Sequence, residues 1–77
     1  MDTLQAMREM LDNAGMTPYA AGKAVGKSHT YVSGLFTRQT TPNANRLAII
    51  ADACGYDLVL QSRDTGKQIV IDGTTSD

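Results

Sequence analysis

The stretch "GKSHTYVSGLF", residues 26–36, decides how this chain folds. A glycine and a lysine come first, then small polar residues, then an apolar end. Stepping 100° per residue from Ser28, the side chains of Tyr31, Val32, Leu35 and Phe36 fall within an arc of about 140°, the pattern of a helix packed on a core. Opposite them lie His29, Thr30, Ser33, Gly34 and Thr37. This second face is small, polar and uncharged. A face that meets only water usually carries Lys and Glu, so this one is suited to close contact with another molecule.

Total charge argues against a polyanionic partner, since the chain carries −1 overall. Its distribution argues the other way. From Asn13 to Ala51 there is no Asp or Glu, while Lys23, Lys27, Arg38, Arg46 and His29 all lie inside that window. The acids Asp2, Glu9, Asp12, Asp52, Asp57, Asp64, Asp72 and Asp77 lie outside it. The middle therefore carries +4 and the ends −5. The field near one face matters more to a ligand than the total, although four scattered cations also suit an ordinary solvated surface.

Seventy-seven residues make one domain. A chain of this size buries only about 60% of its unfolded surface, so it is expected to lean on a partner subunit. No apolar run approaches the ~18–20 residues of a membrane span. The start, "MDTLQAMREM", is amphipathic and acidic-first, unlike a secretory leader, and a cytoplasmic location is expected. The single cysteine, Cys54, excludes an internal disulfide and a cysteine-based zinc site. One histidine and one cysteine on different helices form no catalytic or metal constellation, so no enzyme activity, metal or cofactor is expected.

Helix signals surround the opening stretch. Thr3 is expected to cap a first helix whose Leu4, Met7, Met10, Leu11 and Ala14 recur at spacings of three and four, ending at Gly15. Thr17-Pro18 and Thr41-Pro42 each offer a capping threonine followed by a proline at the first helical position. The first pair opens a short helix, "PYAAGKAV", stopped by Gly26; Ser28 is expected to cap the third helix. The second pair opens "PNANRLAIIADAC", with Leu47, Ile50, Ala51 and Cys54 inward and Gly55 at its end. Cys54 is then a small buried hydrophobe.

Beyond Gly55 the period changes to two. "YDLVLQS" and "KQIVID" flank "RDTG", which predicts a hairpin with a four-residue loop and Gly66 left-handed. Its register places Leu58 opposite Ile71, Val59 opposite Val70 and Leu60 opposite Ile69. A lone ribbon is marginal in water, so one face is expected on the helices and the other, with Leu58, Val59, Leu60, Ile69, Val70 and Ile71 supplying the contacts, on a second copy. Closure of the ribbon onto its own helices, with no dimer, is the alternative. The domain plan is thus a helical unit at 1–55, a hairpin at 56–72 and a flexible tail at 73–77.

Two helices joined by a tight turn, the second with a polar outer face, describe a helix-turn-helix. "GKAVGKSHTYVSGLF", residues 22–36, resembles that motif in the lambda-repressor-like family of the Cro and phage-repressor type. Gly22 matches the small residue of the motif's first helix, Gly26 the turn glycine, Val32 and Leu35 core positions, and Ser33 a frequent serine. The likeness continues through "LAIIADACGYDL" and spans four helices, with the motif proper at about 17–38. It implies a mainly α, four-helix lambda-repressor-like domain followed by the β-hairpin.

The resemblance also implies a recognition helix from Ser28 to about Arg38. Base-reading positions fall on His29, Thr30 and Ser33, with Gly34 alongside, and a phosphate-holding position falls on Thr37. Pro18 stands where many relatives have a glutamine that touches the DNA backbone, and the Tyr19 hydroxyl is the substitute. Lys27 replaces a more usual aliphatic residue and can reach a phosphate. Chemistry supports these roles. Short hydroxyl side chains can donate to or accept from major-groove edges, and His29 can donate to guanine N7 or O6. Tyr19, Lys23, Lys27, Ser28, Thr37, Arg38 and Arg46 form the expected phosphate set.

The expected function is a sequence-specific regulator of double-stranded DNA, a repressor of bacterial or phage type acting as a homodimer on a palindromic operator. The alternative is an antitoxin that autoregulates through the same motif. It would hold a toxin on the first helix or the hairpin, where the acidic ends suit a basic partner.

Overall fold

The computed structural model describes residues 1–73 of the chain. Four helices, α1 (Thr3–Ala14), α2 (Pro18–Ala24), α3 (Thr30–Arg38) and α4 (Ala44–Ala53), precede an antiparallel ribbon of β1 (Leu58–Gln61) and β2 (Gln68–Ile71). This is the mainly helical architecture with a terminal hairpin that the sequence patterns predict.

Three of the expected helix starts move. At α1 the cap is Asp2, not Thr3: its carboxylate accepts from the Gln5 N–H at 2.9 Å while Gln5 Oε1 accepts from the Asp2 N–H at 2.9 Å. A reciprocal box satisfies two orphaned donors, where a lone threonine cap satisfies one. At α4 the second Thr-Pro pair does not repeat the first. Asn43 is the cap, accepting from the Arg46 N–H at 2.8 Å, and Pro42 precedes the helix. Asparagine caps at least as well as threonine and lies nearer the apolar stripe. Ser28 does not cap α3, because its hydroxyl pairs with Thr30 Oγ1 at 3.1 Å. Instead the Tyr31 N–H bonds the Ser28 carbonyl at 3.1 Å, so the chain enters α3 through a tight 3₁₀-type turn. Only α2 starts as expected, with Thr17 Oγ1 accepting from the Ala20 N–H at 3.1 Å and Pro18 in the first turn.

All four helices close with the same pair of backbone bonds. At α2, the Gly26 N–H meets the Lys23 carbonyl and the Lys27 N–H meets the Gly22 carbonyl. This motif needs one residue in the left-handed region. Glycine supplies it after α1, α2 and α4, but after α3 it is Gln39, at φ 53°.

The core is formed by Met7, Met10 and Leu11 of α1, Ala21 of α2, Val32 and Leu35 of α3, and Ile50 and Ala51 of α4. Leu47 and Cys54 pack at its edge. Burial pushes the Cys54 thiol up from its ordinary value, and Cys54 Sγ lies 3.9 Å from Met16 Sδ. A protonated thiol in apolar surroundings behaves as a small hydrophobe.

The ribbon pairs Leu58 with Ile71, Val59 with Val70, and Leu60 with Ile69, the expected register, and Gly66 is left-handed at φ 74°. Its burial, however, divides along the strands rather than between the two faces. Leu58, Val59 and Ile71 are half-buried at the base, beside α4, while Leu60 and Ile69 toward the turn, and Val70 opposite Val59, remain 56–67% exposed. Four-residue strands span about 13 Å, and only their base lies over α4. Gly73 is buried, and a Cβ there would stand 2.6 Å from the Asn45 carbonyl. The rest of the expected tail, 74–77, lies outside the described residues.

A side chain in the left-handed region costs about 1–2 kcal/mol, part of which glycine returns through the entropy of the unfolded chain. Gln39→Gly is therefore expected to raise unfolding stability by about 0.5–1 kcal/mol in urea denaturation, whereas Gln39→Val should lower it.

Candidate nucleic-acid interface

The interface is positioned by a missing side chain. A Cβ on Gly22 would lie 2.7 Å from the Ser28 carbonyl oxygen and 3.5 Å from Tyr31 Cβ. The bare Cα lets the turn fold directly onto α2, and the Gly22 carbonyl accepts the Lys27 N–H at 3.1 Å. Val32 and Leu35, essentially without exposure, then fix the rotation of α3 in the core. That rotation leaves His29, Thr30 and Thr37 exposed and Ser33 half-exposed.

Tyr19 and His29, expected in separate roles, form one unit. Their rings stack with centroids 4.9 Å apart and planes at 26°. Tyr19 at the start of α2 thereby braces the imidazole that precedes α3. Two hydroxyls on α3 are also engaged. Ser33 Oγ donates to the His29 carbonyl at 3.0 Å, and Thr37 Oγ1 donates to the Ser33 carbonyl at 3.1 Å. With those protons committed, both side chains offer only lone pairs outward. A phosphate oxygen can only accept, so a Thr37–phosphate bond requires the hydroxyl to turn away from Ser33.

Gly34 is not open as the sequence suggests. It is buried, because Arg38 runs back one turn and lies over it. A Cβ on Gly34 would stand 2.8 Å from one terminal nitrogen of Arg38 and 3.3 Å from both the guanidinium carbon and the other nitrogen. The outer face of α3 therefore carries a positive charge that a wheel drawn on Cα positions omits.

Two of the other expected cations converge on one ring. The Arg46 guanidinium lies 4.2 Å from the Tyr31 centroid and Lys27 Nζ lies 5.9 Å from it. Such contacts hold cations at the flank of α3 while leaving their charge available. Lys23 is exposed in the last turn of α2, and Ser28 is exposed in the turn. The gathering of these cations on Tyr31 is the feature of the candidate site that the sequence underrates. The spacing of four between Lys27 and Tyr31 was a signal, but the approach of Arg46 from another helix was not. Arg8 of α1 likewise lies 4.5 Å over the Phe36 ring, tying α1 to the far end of α3. Among the described residues no group of three or more His, Cys, Asp or Glu side chains could hold a metal ion.

A short helix, a tight glycine turn and a second helix with its polar side outward define a helix-turn-helix DNA-binding domain. The chain belongs to the helix-turn-helix family of the Cro and phage-repressor, lambda-repressor-like type, whose family model matches residues 7–61, from within α1 to the end of β1. No curated protein and no solved structure matches it. The family is one of regulators that bind double-stranded DNA. No helix among the described residues is long and apolar enough to cross a membrane.

The contact at Gly22 carries a signed expectation. Glycine to alanine inside a helix ordinarily stabilises by about 1 kcal/mol. At Gly22 the added methyl meets backbone, so Gly22→Ala should instead destabilise by about 1–3 kcal/mol in chemical denaturation. A gain in stability would remove close approach as the reason for the glycine.

Proposed function

We propose that this protein is a sequence-specific transcriptional regulator, a repressor of bacterial or phage type, that lays α3 in the major groove of a palindromic operator. The observation that carries this is the outward polar side of α3, locked by Val32 and Leu35 and set in the one long stretch free of acids. His29, Thr30 and Ser33 are the base-reading residues, at the end of the helix that enters the groove. Tyr19, Lys23, Lys27, Ser28, Thr37 and Arg46 are the phosphate contacts, and the three cations among them give a salt slope of about −3 per monomer.

The operator is bound as a homodimer, with two copies of α3 about 34 Å apart. Support for this comes from the ribbon, where Leu60, Ile69 and Val70 stand exposed in a short chain with a small core. One observation favours the antitoxin reading as well. An open groove between α1, α4 and the base of the ribbon has Ala6, Met10, Leu47 and Leu58 among its lining, with Asp2, Glu9 and Asp57 beside them. Acids around an apolar floor suit a basic protein partner, and co-purification of a second small protein would support that reading.

Replacing His29 and Thr30 together by alanine is expected to reduce preference for the operator sharply while leaving binding to random DNA nearly intact in competition gel shifts. Equal losses on both DNAs would contradict the assigned reading residues. Leu60→Lys with Ile69→Lys should yield a monomer in sedimentation without loss of helical signal. A persisting dimer would relocate the interface to the helices.

A further inference from the structure

We infer that Arg38, seated over Gly34, is a base-reading residue that selects a guanine in each half-site, rather than a phosphate contact. The inference rests on the DNA-binding role proposed above and deepens it by naming a base.

The position of Arg38 in the sequence argues for a phosphate, because it is the last residue of α3. The conformation of its side chain argues otherwise. Helical side chains lean toward the helix N-terminus, and this one does so by a full turn, bringing its guanidinium level with residue 34. It lies there because Gly34 has no side chain. A Cβ at that position would stand 2.8 Å from the nearest guanidinium nitrogen, so any larger residue displaces the group. Glycine is otherwise a poor choice inside a nine-residue helix.

The chemistry of the surrounding face points to guanine. Ser33 has committed its proton to a backbone carbonyl, so it meets the groove as an acceptor. Acceptors suit the amino groups of adenine or cytosine and cannot satisfy guanine N7 and O6, which need donors. Arg38 supplies donors only, in a fork that matches those two atoms. Arg46 and Lys27 are held on the Tyr31 ring at the flank of α3, whereas Arg38 forms no ion pair among the described residues.

The test is selection of bound sequences from a random DNA pool by the full chain, repeated with Arg38→Ala and Gly34→Ala, with thermal melts of each variant. The wild type should enrich a motif containing a guanine whose replacement weakens binding about 10–100-fold. Arg38→Ala should lose the preference at that position alone. Gly34→Ala should lose it too, while melting no lower than the wild type, because its added methyl meets only the mobile end of a side chain. A second arm measures the salt dependence of binding to the enriched site. An Arg38→Ala variant that keeps the guanine preference, weakens all sequences alike and flattens the salt slope by about 1 would overturn the inference and return Arg38 to the phosphate set. A wild type that enriches no motif at all would overturn the DNA-reading role itself, and the inference with it.

Discussion

The bare Cα of Gly22 is the constraint on which the rest depends. It lets the Ser28 carbonyl approach α2 to a distance that any side chain would forbid, and its own carbonyl closes the turn through the Lys27 N–H. Those two contacts set the angle between α2 and α3. Once the angle is set, Val32 and Leu35 can reach Ala21 and the methionines of α1, and the opposite side of α3 has to face outward. A backbone contact fixes this geometry more firmly than packed side chains could, because peptide groups have no alternative rotamers. Recognition by a rigid helix begins at that glycine.

Electrostatics in this molecule are a matter of placement. No acid lies between Asn13 and Ala51, so the field of α2, the turn and α3 is not cancelled locally despite the acidic total. Aromatic rings then decide where individual charges sit. Tyr31 gathers Lys27 and Arg46, Phe36 carries Arg8, and Tyr19 stacks on His29. Long side chains lose less freedom on meeting a ligand when a ring already restricts them. Arg38 is placed differently, by a gap in the helix surface instead of a ring.

Periodicity made the fold legible. Apolar residues at spacings of three and four, the glycine stops and the two-residue alternation around "RDTG" were enough for four helices and the ribbon register. Capping is less legible, since Asp2 with Gln5 and Asn43 with Arg46 compete with nearby threonines that look equally suitable. Which cap wins depends on where the helix must point to bury its stripe, and that is set by tertiary packing. The candidate site was legible as a set of positions on α3 but not as a set of contacts. A helical wheel places Cα atoms, whereas Arg38 acts a full turn from its own and Tyr19 reaches a residue ten positions on. Gly73 shows the same limit, because its burial depends on Asn45 and Ile49, far away in sequence.

The overhanging end of the ribbon also bears on how the protein behaves in solution. Both of its strands are edge strands, so each presents unpaired backbone donors and acceptors, and Leu60, Ile69 and Val70 add apolar surface beside them. Such an edge can accept further strands without limit, which is a route to aggregation. Arg63, Asp64 and Lys67 cluster at the turn, where charge penalises the close stacking of ribbon on ribbon. Solubility of the chain is thus tied to the cover that the apolar end finds: high salt, which screens the charged tip while strengthening apolar contacts, is the condition under which it should precipitate first.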